Sequence, residues 1–138
     1  MKKQLAITLP VRDLARSQAF FTALGFTFNP QFSSEQGSGM NLSDDIHVML
    51  VKEAFFGTLT KKPMADPRSS TIALLCLFCD SREEVDAMAA RAQSLGATLP
   101  EDPEDHGFMY QHGFEDLDGH MWALTHIAEM PAQQPAAA

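Results

Sequence analysis

Leu5-Ala-Ile-Thr-Leu-Pro-Val-Arg-Asp-Leu-Ala-Arg-Ser-Gln-Ala-Phe-Phe-Thr-Ala-Leu-Gly25 changes period once, at Asp13. Before it, Leu5, Ile7, Leu9 and Val11 alternate with Ala6, Thr8 and Pro10, the two-residue period of a strand. After it, Leu14, Phe20, Phe21 and Leu24 form an apolar stripe at helical spacing, with Asp13 as N-cap and Gly25 just past the end. Phe26-Thr-Phe28 alternates again, and Gly39-Met-Asn-Leu42 and Ile46 to Lys52 follow, separated by a turn at Ser43-Asp-Asp45. The first half therefore reads strand, helix and three strands.

The second half repeats this order. Ile72 to Cys79 is an apolar run bounded like a strand, and Ser81-Arg-Glu-Glu84 is a capping box. Val85, Met88, Ala89, Ala92 and Leu95 continue at helical spacing up to Gly96. Pro100 and Pro103 confine any strand near them to a sheet edge. Phe108 to Phe114 alternates, Asp116-Leu-Asp-Gly119 turns the chain, and Met121 to Ile127 is the last strand. Two copies of a βαβββ unit describe the whole economically: an α+β chain with module one at 4–52, a linker at 53–70 and module two at 71–127. Residues 131–138, rich in Pro, Gln and Ala, are expected to form a disordered tail.

Composition narrows the function. In 138 residues there are 10 Lys and Arg against 18 Asp and Glu, a net charge of −8 with no basic cluster beyond Lys61-Lys62. Such a surface repels nucleic acid and anionic membrane. The longest apolar run is too short to cross a bilayer, and the N-terminus lacks a secretory pattern, so a cytoplasmic protein is expected. Cys76 and Cys79 form a C-x-x-C, but inside an apolar strand rather than at a helix start. They are expected to be inert thiols of the core on opposite faces.

Leu9-Pro-Val-Arg-Asp-Leu14, Ser17-Gln-Ala-Phe-Phe21 and Ala23-Leu-Gly-Phe26 resemble the opening of the vicinal oxygen chelate superfamily, which holds glyoxalase I, extradiol dioxygenases and the bleomycin- and fosfomycin-resistance proteins. Asp80-Ser-Arg-Glu-Glu-Val-Asp86, Gly107-Phe-Met-Tyr110 and Phe114-Glu-Asp-Leu-Asp-Gly-His120, followed by Trp122, resemble a narrower group of bacterial predicted lactoylglutathione lyases. The resemblance covers about residues 4–127. It implies one glyoxalase-like domain over 1–130, in which two βαβββ modules enclose a cavity with curved mixed sheets. It also implies a homodimer.

In glyoxalase-type members of that superfamily, the first and last strands of each module each supply one His or Glu to a divalent metal that polarises the substrate oxygens. Counting from the matched motifs places these positions at Ala6, Met49, Leu74 and Ala123. Alanine and leucine carry no donor atom, the methionine thioether is soft, and a one-residue slip meets only the apolar neighbours Leu5, Ile7, Val48, Leu50, Ala73, Leu75, Trp122 and Leu124. No metal or other cofactor is expected. Strand parity lines the cavity instead with Ala6, Thr8, His47, Met49, Leu74, Met121, Ala123 and Thr125, with Tyr110 as a further wall group.

Among the histidines, His47 is the one expected in the cavity and the only candidate general base. His112 shares its strand face with Tyr110, His120 and His126 share a face with Trp122, and His106 lies in an acidic loop. The expected function is binding of a small, largely apolar molecule in a metal-free cavity. The alternative is a lyase of the glyoxalase I type, or another metal-independent enzyme of the same fold.

Overall fold

A computed structural model describes residues 2–128; the tail expected at 131–138 lies outside them. The chain divides into two units between Pro67 and Arg68, each built around one four-stranded mixed sheet that does not close on itself.

In the first unit, β1 (Leu5–Val11) leads into α1 (Leu14–Leu24), and β2 (Thr27–Asn29), β3 (Gly37–Asn41) and β4 (Ile46–Lys52) follow. The sheet order is β1-β4-β3-β2, with β1 parallel to β4 and the other pairs antiparallel. The Asp13 carboxylate accepts from the Arg16 N–H at 3.1 Å, capping α1, and Gly25 ends it at φ 114°, a conformation that favours glycine. Leu14, Phe20, Phe21 and Leu24 of α1 are buried, as are Val48, Leu50 and Met40 of the sheet. Gln18 of α1 donates to Ser38 of β3, so this buried face is the helix side. Each such buried side chain contributes about 1.5–3 kcal/mol.

Two short elements were not legible in the sequence. Pro30–Phe32 forms one 3-10 turn capped by Asn29, and Glu53–Leu59, inside the expected linker, forms a helix, α2, that packs on β1 and β4.

The second unit repeats the arrangement with β5 (Leu74–Phe78), α3 (Arg82–Ser94), β6 (Glu104–Asp105), β7 (Met109–Glu115) and β8 (Met121–Ile127), in the order β5-β8-β7-β6. Ser81 caps α3 by accepting from the Glu84 N–H at 3.0 Å. The two-residue β6 is an edge strand, as the prolines before it require. Strand β5 is shorter than the apolar run, and Ile72 is 98% exposed before it starts.

The turn between β7 and β8 is organised by one buried carboxylate. Asp116 accepts from the backbone N–H groups of Asp118 and His120 through Oδ1 and from the Trp122 indole through Oδ2, each at 3.0 Å. Burial pushes this carboxyl upward, and the nearby His120 and the N–H donors oppose that. Trp122 is thereby held flat against Phe114, ring centroids 6.2 Å apart and planes within 7°.

A second network joins two of the motifs that carry the family resemblance. Arg82 forks onto Asp105 at 2.6 and 3.0 Å, donates to the Gly107 carbonyl at 3.0 Å, and lies 5.1 Å from the Tyr110 ring centroid. Tyr110 in turn donates to Asp86 at 2.6 Å. The Arg82 hydrogen bond lowers the Asp105 pKa, and the Asp86 hydrogen bond raises that of Tyr110. These motifs therefore fasten α3 to the β6–β7 hairpin.

The cysteine expectation needs correction. Cys79 is buried and its thiol is pushed up to about 11, first by desolvation and then by Glu84, but Cys76 is exposed. Cys76 pairs in register with Ala123, on the sheet face that no helix of its unit covers. Among the described residues, no helix is long and apolar enough to cross a membrane.

Two measurements follow from these contacts. Asp116→Asn replaces the acceptor of the buried indole N–H by a donor or strips the two backbone donors, and should cost about 1–3 kcal/mol; urea unfolding followed by the fluorescence of the single tryptophan reads it, and a change below about 0.5 kcal/mol would refute the assigned role. Under native conditions near neutral pH one thiol, Cys76, should react quickly with a thiol reagent, and the second only after denaturant is added. Equal labelling of both without denaturant would contradict the burial of Cys79.

Candidate functional site

The register of each sheet sorts side chains onto two faces, one under the helix and one open. In parallel and antiparallel pairs alike, residues opposite one another share a face. In the first unit, Ala6, His47, Asn41 and Thr27 make one rung of the open face, and Thr8, Met49, Gly39 and Asn29 make the next. In the second unit the matching rungs are Leu74, Met121 and Glu115, then Cys76, Ala123 and Gly113. Thr125 and Gln111 stand one rung further on, the Gln111 amide donating to Thr125 at 3.2 Å.

Of the nine side chains expected to line a cavity, eight stand on open faces. Ala6, Thr8, His47 and Met49 share that of the first unit, and Leu74, Met121, Ala123 and Thr125 share that of the second. Tyr110 does not join them. It pairs with His126, on the same side as Trp122 and Leu124, and its hydroxyl is engaged by Asp86 of α3. His112 stands on that helix side too, opposite Leu124. The remaining histidines have local partners: His106 meets Glu104 at 3.1 Å, the His120 N–H donates to Asp116, and the His126 ring lies 3.0 Å from the Cys79 carbonyl.

The positions corresponding to metal ligands fall on equivalent rungs of the two units: Ala6 and Leu74 on one, Met49 and Ala123 on the next. Two separate sets of motifs thus place them consistently. Their donor chemistry does not fit a divalent metal, since three carry hydrocarbon only and the fourth a soft thioether. Among the described residues, no three His, Cys, Asp or Glu side chains gather to hold an ion.

What the first open face does offer is one imidazole in apolar company. His47 Nδ1 lies 3.2 Å from Asn41 Oδ1, and Asn41 Nδ2 donates to Thr27 Oγ1 at 3.3 Å. Phe32, from the 3-10 turn, sets its ring 6.4 Å from the imidazole, centroid to centroid, and is 57% exposed. It rests there because Gly39 has no side chain: a Cβ on Gly39 would stand 2.9 Å from Phe32 Cβ and 3.1 Å from the Met49 sulfur. Asn41 and Phe32 were missed in the sequence. The hairpin turn at Ser43-Asp-Asp45 carried the signal for Asn41, because a turn centred on Asp44 places 41 opposite 47.

Among curated proteins no relative matches the sequence. Solved structures do match. A glyoxalase-related enzyme from Fulvimarina pelagi aligns with a TM-score of 0.79 at 17% identity, covering 96% of this chain and 94% of that one. Hypothetical protein SA1046 from S. aureus gives 0.77 at 24%, covering 91% and 94%. The bleomycin resistance determinant encoded on transposon Tn5 gives 0.64 at 20%, covering 93% and 100%. At these identities the likeness is one of fold. The sequence profile of the Glyoxalase/Bleomycin resistance protein/Dioxygenase superfamily matches residues 3–124. With that match over most of its length, and with two βαβββ units built as its structural neighbours are, the chain belongs to this superfamily.

Proposed function

We propose that this chain binds a small, largely apolar molecule at the open face of its first sheet, without a resident metal. It does so in the cytoplasm and as a homodimer, the latter as the family resemblance implies. One observation carries the reading: where the family places hard metal ligands, this chain has Ala6 and Met49, and beside them a single imidazole flanked by a methyl, a thioether and a phenyl ring. The same face carries Thr8, Thr27, Asn29 and Asn41, so apolar surface and hydrogen-bonding groups are both at hand to hold and orient a small molecule. Lewis-acid stabilisation of an enediolate needs donors that these positions lack. The residues favour a binder over a lyase.

Purified protein should therefore carry far less than one equivalent of Ni, Zn, Fe, Mn or Mg per chain by elemental analysis. About one ion per chain, lost on chelation together with an activity, would overturn the reading. Isomerisation of the hemithioacetal of methylglyoxal and glutathione well above background would replace it with the lyase.

Ala6→Phe tests the site itself. Ala6 is exposed and opposite His47, so the added ring should alter stability by no more than about 0.5 kcal/mol while covering the imidazole. Binding of N-phenylnaphthylamine, an uncharged apolar fluorophore, should fall sharply in the variant. Undiminished binding in a folded variant would place the ligand elsewhere.

A further inference from the structure

His47 and Asn41 form a directed pair, and its direction has chemical content. The Asn41 amide nitrogen is committed to Thr27 Oγ1, so its carbonyl oxygen faces the imidazole. An amide oxygen only accepts, so the hydrogen in that contact belongs to His47 Nδ1. In the neutral ring that hydrogen on Nδ1 leaves Nε2 as the acceptor. All three residues belong to one rung, so the backbone register fixes the orientation.

The surroundings of the ring restrict what can use that lone pair. Ala6 stands opposite His47 on one side, and Phe32 lies tilted beside it at 52°, its ring centroid 6.4 Å from that of the imidazole. A ligand that meets an acceptor in apolar, aromatic company is an aromatic molecule with a hydrogen-bond donor on its ring.

We propose that Asn41 is a positioning residue that holds His47 Nε2 as a proton acceptor, so that the first open face selects aromatic molecules bearing an acidic hydroxyl, phenols or enols, over their ethers. The proposal rests on the binding reading above and deepens it. The hydroxyl donates to Nε2; where the phenol is acidic enough, its proton passes to Nε2, leaving a phenolate and an imidazolium, with no other bond made or broken.

Two probes of nearly equal shape separate the terms: 4-nitrophenol, which has the donor, and 4-nitroanisole, which has a methyl ether in its place. The full-length protein should bind 4-nitrophenol about tenfold more tightly than 4-nitroanisole, with the bound phenol's absorbance shifted toward the phenolate band. His47→Phe should remove both the preference and the shift. Asn41→Leu should shrink the preference to about twofold and abolish the shift, in a variant whose circular dichroism and urea unfolding match those of the unaltered protein. Asn41→Asp, which orients the same tautomer and adds charge, should keep the preference and enlarge the shift. A preference and band that survive Asn41→Leu would overturn the positioning role. Equal affinity for the two probes in the unaltered protein would overturn the proposal and leave the apolar binding reading standing. Failure of both probes to bind would overturn the two together.

Discussion

The parallel pairing of the first and last strands within each unit, β1 with β4 and β5 with β8, is the constraint from which the rest follows. A one-residue slip in either register would turn every side chain to the other face. It would bring Val48 and Leu50 out from under α1 and send His47 and Met49 beneath it. The cost would be several buried apolar side chains, each about 1.5–3 kcal/mol, plus a half-buried imidazole placed among them without a partner. The chemistry of the open face is thus determined by what the helix side must bury.

Two polar networks hold the second unit to that register, and they work differently. Asp116 is deep, and its three N–H donors compensate for the loss of water around a carboxylate. The Arg82 fork lies at the surface, where solvent screens it, and its contribution is geometric: it ties the end of α3 to a hairpin whose first strand has two residues. Strand register, not the fork, puts Tyr110 on the helix side, opposite His126. A hydroxyl that already donates to Asp86 from the helix side is unavailable to a ligand on the other.

Alternation and caps made the framework legible before any coordinates. Leu5 to Val11, Ile46 to Lys52 and Met121 to Ile127 carry the strand period because their helix-side residues, Val48, Leu50, Trp122 and Leu124 among them, are the buried ones. Asp13 and Ser81 announced both long helices, and Gly25 and Gly96 their ends. Helix α2 was illegible because Gly57 and the prolines beyond it read as linker and its apolar residues are too few to show a period. Cys76 was misread because a continuous apolar run gives no indication of which face is covered. Parity alone put eight of nine wall residues on open faces. Asn41 needed the cross-strand register set by the turn at Ser43-Asp-Asp45, and Phe32 needed a 3-10 turn that no local pattern expresses.

The matching rungs have an evolutionary consequence. Because the two units repeat one framework, the caps and the helix-side packing that fold each half are largely separate from the side chains on the open face. The two halves have accordingly diverged in polarity on a common scaffold, Ala6, His47 and Asn41 in one against Leu74, Met121 and Glu115 in the other. A duplicated fold of this kind is a reservoir of neutral variation, in which new specificities arise by single changes in one half while its twin stays as it was.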